Sequence, residues 1–264
     1  MNEAKLKLDE GNLNGAIESA INLVKTNPTQ VAARTFLFEL SCFSGEWERA
    51  ERQLDTIGHQ DIKAGVGSLI YRQNFKAERD RINLFAHSSR PESAMKFPEY
   101  VEDLLKAVDL FRQGDSAACR ELLDKVDDER PAFPVTVNGE GYSDFRDYND
   151  LTMCVFEVFV KDNYIWLPFE QVSSIEFFER KSLRDVYWQQ AKVEMINGTS
   201  GEMFFPALYV NSWKHADDNV RLGRSVDWRD AGNEVYVGEG MRLFWMSGKD
   251  KPQSEIQTIV FNRD

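Results

Sequence analysis

The chain has 264 residues, 42% hydrophobic and 29% charged, which suits one large or two ordinary globular domains and excludes a disordered chain. Its formal net charge of -12 sets it against phosphate backbones and anionic membrane surfaces, so nucleic acid is not expected as a partner. No apolar run approaches the roughly 18 residues of a membrane span, and Met1–Lys7 has no signal-peptide core. Cys42, Cys119 and Cys154 are widely spaced with no Cys-x-x-Cys pair, which reads as reduced thiols in a cytoplasmic protein.

Alanine and leucine at helical spacing dominate residues 1–127. Within them Gly11-Asn12-Leu13-Asn14-Gly15-Ala16 aligns with Gly45-Glu46-Trp47-Glu48-Arg49-Ala50 at a spacing of 34, the period of the tetratricopeptide repeat. In such a repeat a glycine opens the turn between two helices, and a small residue five positions later lets them approach. A third unit starts at Gly114, with Cys119 in the small-residue place. Gly11 to Pro28 and Gly114 to Pro131 are both 17 residues. Ala16, Ala20, Leu23 and Val24 share one helix face. Asn27 or Thr29 is placed to cap the next helix, which carries Phe36, Leu37 and Leu40.

Gly45 to Gly114 is 69 residues, one more than two periods, and no glycine turn falls near residue 79. This divergent unit reads as one helix through Leu69, Ile70, Tyr71 and Phe75, then another through Ile82, Leu84 and Phe85. A concave repeat surface holds a peptide or helix, and Phe36, Glu39, Tyr71 and Phe75 are the expected partner-binding residues. The competing expectation is that these helices pack against the second half of the chain.

That second half begins after Asp127–Pro134, where an acidic cluster and two prolines end the last helix. The expected division is therefore a helical array at 1–130 and a β-rich domain at 131–264. Strands are expected at Met153–Val160, Tyr164–Leu167, Ser174–Phe178, Gln190–Met195, Glu202–Pro206, Glu234–Val237, Met241–Met246 and Thr258–Phe261. Asp162-Asn163 and Asn197-Gly198 suit hairpin turns, and Ser182–Tyr187 suits a short helix. Strands this short suggest a small, mostly antiparallel SH3-like barrel, giving an α+β chain overall. Tyr209, Trp213, Trp228 and Trp245 read as its core, with a contact patch as the alternative.

The most distinctive stretch is Phe205-Pro206-Ala207-Leu208-Tyr209-Val210-Asn211-Ser212-Trp213, followed by Arg221-Leu222-Gly223-Arg224-Ser225-Val226-Asp227-Trp228. Here the chain resembles the ImpE, SciE or TagJ accessory proteins of bacterial type VI secretion. Their pattern is Leu-Pro-x-Leu-Tyr-x-x-Ser, a polar stretch, then Leu-Gly-Arg-x-Thr-Asp-Trp. Phe205 replaces the first leucine, and Val226 stands where that family tends to have threonine. Tyr209, Arg221, Gly223, Arg224, Asp227 and Trp228 are the residues of this motif. The resemblance, which covers most of the chain, implies a non-enzymatic role beside the contractile sheath. The partners it implies are the small sheath subunit and the ClpV-type AAA+ ATPase.

The residues themselves leave an alternative open, in which Tyr209, Arg221, Arg224 and Asp227 surround a pocket for a small molecule or a reaction. Catalytic patterns are absent from the sequence: there is no Gly-x-Ser-x-Gly and no His-Glu-x-x-His. Gly238-Glu239-Gly240 lacks the Lys-Ser/Thr of a phosphate loop and reads as a turn. His215 and Asp217 have a ligand-like spacing, but His59 and His87 are remote, so a hydrated loop is the simpler reading. Neither metal nor cofactor is expected.

Overall fold

The computed structural model of the chain describes residues 1–60 and 62–262. Its helices are α1 (Asn2–Asp9), α2 (Leu13–Thr26), α3 (Val31–Phe43), α4 (Trp47–Gln60), α5 (Ile62–Ala86), α6 (Glu99–Gln113) and α7 (Ser116–Glu129). Three hairpins, α1–α2, α3–α4 and α6–α7, close in the same way. Gly11, Gly45 and Gly114 all have positive φ, +78°, +71° and +79°. The next residue donates its N–H five residues back in each case: Asn12 to Lys7, Glu46 to Ser41 and Asp115 to Leu110. This is the Schellman closure, and the left-handed residue it needs favours glycine. Ala16, Ala50 and Cys119 are fully buried, as the close approach of paired helices requires.

Two local expectations are corrected. Gln30, not Asn27 or Thr29, is the N-cap of α3, and its side chain makes no capping bond. The divergent unit is one 25-residue helix, not two. Between Tyr71 and Ala86 the chain has neither glycine nor proline, so nothing stops the helix.

The strands are β1 (Glu92–Ser93), β2 (Val135–Val137), β3 (Glu140–Tyr142), β4 (Arg146–Asp147), β5 (Val155–Val160), β6 (Asn163–Pro168), β7 (Val172–Phe177), β8 (Trp188–Met195), β9 (Ser200–Pro206), β10 (Val226–Asp230), β11 (Tyr236–Gly240), β12 (Leu243–Met246), β13 (Lys249–Pro252) and β14 (Thr258–Phe261). Short helices α8 (Leu183–Tyr187) and α9 (Asp218–Arg221) interrupt them. The β5–β6 hairpin turns at Lys161-Asp162, one residue earlier than expected, because Val160 pairs with Asn163.

Nine strands run in the order β1-β6-β5-β9-β8-β7-β14-β2-β3, beside a three-stranded sheet β13-β12-β4 and a ribbon β10-β11. The large sheet has two ends, so the expected SH3-like barrel is not formed among the described residues. Its cover comes from elsewhere. Successive residues of β5 point to opposite faces. Phe156 joins Phe145, Phe169, Phe205, Phe244 and Phe261, while Glu157 meets α5. With helices on one side and the small sheet on the other, the apolar faces are buried without closure. Strand β1, contributed from between α5 and α6, pairs in parallel with β6, and one hydrophobic core runs through helices and strands alike.

Candidate functional site

The meeting of helices and sheet is held by buried charge. Arg81 of α5 donates to both oxygens of Glu157 at 3.0 Å, to Glu78 at 3.0 Å and to the Leu208 carbonyl at 2.9 Å. Arg242 bridges Glu157 and Asp147. Tyr164 donates to Glu157, and Trp188 to Glu78 at 2.9 Å. Burial alone would raise the Glu157 pKa, yet Arg81 and Arg242 outweigh it and hold the carboxyl at about 2. At Asp147 burial wins over Arg242, and the pKa is raised.

The motif residues attach to this frame separately. Tyr209 is buried, and its hydroxyl reaches Asp147 at 2.7 Å. Its ring lies on Gly238, where a Cβ would come within 2.3 Å. Arg221 pairs with Asp218 at 2.7 Å. Gly223 turns with φ +67° against Leu208 and Met241. Arg224 donates to the carbonyls of Leu8 (2.7 Å) and Asp9 (3.3 Å) at the end of α1. Asp227 faces His215 at 3.3 Å. The alternative pocket around Tyr209, Arg221, Arg224 and Asp227 is therefore corrected: each side chain has its own partner, and they do not converge on one cavity. Nor do the described residues hold a group of three or more His, Cys, Asp or Glu able to bind a metal.

What the stretch 213–233 does is touch all three hairpin turns. Asp218 accepts from the Leu13 N–H at 2.8 Å, beside Gly11, capping α2 from a distance in sequence. Trp213 lies on Gly45, where a Cβ would meet the ring at 2.4 Å. Asn233 donates to Ser116 beside Gly114 at 2.7 Å. Gly45 thereby leaves the space that Trp213 fills, and at Gly11 a Cβ would meet Asn219 at 3.1 Å, whereas nothing lies within 4 Å of a Cβ at Gly114.

The four residues expected in a helical groove are divided. Phe75 is sealed against Trp188 with ring centroids 5.3 Å apart, and Tyr71 stacks on the same indole at 6.3 Å. Arg184 donates to the Tyr71 hydroxyl (2.8 Å) and to Glu39 (2.9 Å). Burial pushes the Glu39 pKa up to about 7, against the opposing effect of Arg184. Phe36 and Glu39, both largely buried, border a cavity of about 720 Å3 between α1, α3 and the start of α8. Tyr71 and Phe75 do not border it.

A second cavity, about 610 Å3, gathers Tyr148, Trp228, Tyr236 and Trp245. Trp228 and Trp245, expected in the core, are half-buried, and Tyr236 is exposed. The charged groups of this cleft are paired. Arg130 binds Asp127 (2.7 Å) and Asp144 (2.9 Å); Arg146 binds Asp127 (3.3 Å) and Asp150 (3.2 Å). Burial would raise the Asp144 pKa, but Arg130 holds it low. Burial raises Asp150. Apart from Trp228, a motif residue, and Trp245, with a contact patch as its alternative to core, none of these stood out as a site. The available signal was Leu243-Phe244-Trp245-Met246, a strand with apolar side chains on both faces.

Comparison with known proteins follows the same lines. The family model "ImpE protein" matches residues 139–260. The type VI secretion system accessory component TagJ of Pseudomonas aeruginosa is 31% identical over 254 residues, covering 96% of this chain and 89% of that protein. A crystal structure of protein VPA1032 from Vibrio parahaemolyticus superposes with a TM-score of 0.91 at 25% identity, over 99% of this chain and 98% of that one. The motif, the helical layout and these matches agree: the chain belongs to the ImpE/TagJ family of type VI secretion accessory proteins.

Proposed function

We propose that the chain is a non-enzymatic adaptor acting in the cytoplasm beside a type VI secretion machine. In this reading residues 1–130 and 131–264 work as one rigid body, joined by the Arg81–Glu157–Arg242 cluster and the 213–233 clamp. The partner is the small sheath subunit or the ClpV-type ATPase, and it docks on the cleft of Tyr148, Trp228, Tyr236 and Trp245. One observation carries the proposal: open aromatic surface surrounded by charged groups already paired with one another. Exposed aromatic rings are the side chains that most often anchor protein contacts. Paired carboxylates and guanidiniums are poorly suited to acid–base work. No helix among the described residues is long and apolar enough to cross a membrane.

The test is titration calorimetry of the chain against each purified partner. The double variant Trp245→Ala, Tyr236→Ala should weaken binding to one of them by at least about tenfold, the usual loss on truncating an interface anchor. Binding of both partners at wild-type affinity would overturn the proposal.

A further inference from the structure

The cleft has a chemistry that narrows what fills it. On the β10–β11 ribbon Trp228 pairs with Gly238 and Asp230 with Tyr236. Trp228 and Tyr236 are thus diagonal neighbours on one face. Across the cleft, Trp245 pairs with Arg146 on one side and Asp250 on the other, so these three form a single cross-strand row. Tyr148 links the two walls: its ring lies 5.7 Å from Trp228, and its hydroxyl donates to Asp250 at 2.6 Å.

The charges around the rings are unequal. Both guanidiniums, Arg130 and Arg146, are held by two carboxylates each. Asp127 nevertheless keeps a side chain 39% exposed, and Asp250 is exposed too. The nearby lysines are directed away. Lys249 and Lys251 pair with Met246 and Phe244, on the face of the sheet opposite Trp245, and Lys249 is bound to Glu140. Aromatic faces carry negative charge density, and a ring face beside a carboxylate attracts a cation. A chain of net charge -12 adds to that attraction at long range. An acidic occupant would meet Asp127 and Asp250 as like charges beside guanidiniums already engaged, and a neutral one would gain nothing from the exposed carboxylates.

We propose that the cleft seats a lysine or arginine side chain on a basic segment of the protein partner. The alkyl stem lies along Trp228, Tyr236 and Trp245, and the cationic head lies in the field of Asp127 and Asp250. The cavity, about 610 Å3, is larger than one side chain, which suits a segment and not a free amino acid. This inference rests on the cleft being the partner-binding surface.

The experiment follows tryptophan indole N–H signals of the full chain by NMR, with Trp228 and Trp245 assigned from Trp→Phe variants. The probes are N-acetyl-arginine amide, N-acetyl-lysine amide, N-acetyl-norleucine amide and N-acetyl-glutamate amide. The cationic probes should shift both indoles and bind at least fivefold more tightly than norleucine. Asp250→Asn, at an exposed position, should reduce that preference at least twofold while leaving the spectrum folded. Norleucine or glutamate binding as tightly as arginine, or indoles that no cationic probe moves, would overturn the inference. Partner calorimetry on Trp245→Ala, Tyr236→Ala separates the two readings. Loss of partner binding without cation preference sinks the basic anchor and leaves the adaptor role standing. Unchanged partner binding sinks the adaptor role at this cleft, whatever the probes do.

Discussion

Glutamine at position 39 measures the energetic cost of joining helices to strands. Glu39 is 6% exposed, and its Oε1 accepts from Arg184 at 2.9 Å. Burial raises its pKa from 4.5 to about 7; Asp185 adds to the rise and Arg184 opposes it. That displacement corresponds to about 3 kcal/mol between the neutral and charged forms. The sign follows from proton binding. Between these two pH values the folded chain holds a proton that the unfolded chain releases. The contribution of Glu39 is therefore fully present below pH 4.5 and is lost as pH rises through about 7. Glutamine is neutral throughout and undergoes no such loss. Arg184 keeps a side chain 31% exposed, so removing the carboxylate charge leaves its guanidinium in contact with solvent and not stranded in the core. Urea unfolding followed by tryptophan fluorescence should find Glu39→Gln more stable than wild type by about 1 kcal/mol at pH 5.5 and about 3 kcal/mol at pH 8.5. A gap equal at the two pH values, or a variant less stable at pH 8.5, would refute the reasoning. The first result would show that the Arg184 pair cancels the effect of burial, the second that it outweighs it.

Two further substitutions probe the joints. Gly45→Ala imposes a left-handed strain of about 1 kcal/mol and drives a methyl into the Trp213 ring. The total loss should exceed about 2 kcal/mol by chemical denaturation, whereas in a Trp213→Ala background the same change should cost only about 1 kcal/mol. Equal costs in both backgrounds would mean that Trp213 does not rest on the turn. Arg81→Met leaves Glu157 with Arg242 as its remaining guanidinium and strips Glu78 of its own. It should destabilise by about 3–5 kcal/mol, and a loss under about 1 kcal/mol would remove the cluster from the account of how the halves are held.

Much of the helical half was legible because its rules are local. A glycine with positive φ and a small residue five positions on are needed wherever two helices turn tightly, so Gly11, Gly45 and Gly114 announce themselves by spacing. The strands from Val155 to Pro206 were legible for a similar reason, since alternation and hairpin turns act over a few residues. Helix α5 was misread because its buried face carries Glu78 and Arg81, which break the apolar pattern that marks a helix core. Those charges are tolerable only because Glu157, Arg242 and Trp188 come to them from remote positions.

Sequence by itself determined the repeat turns, the helix-then-strand order and, through Tyr209 to Trp228, the family. Tertiary structure alone decided what the motif does. It showed that Arg224 and Asp218 bind backbone groups at the end of α1 and the start of α2, and that Trp213 occupies the space glycine leaves at the turn. It also decided which aromatic residues are core. Tyr209 and Trp228 look alike in sequence, yet one is sealed by Gly238 and the other is left at an open cleft. The reason is physical: hydrophobicity and periodicity say that a ring needs cover, and only the arrangement of distant strands says whether the chain supplies it.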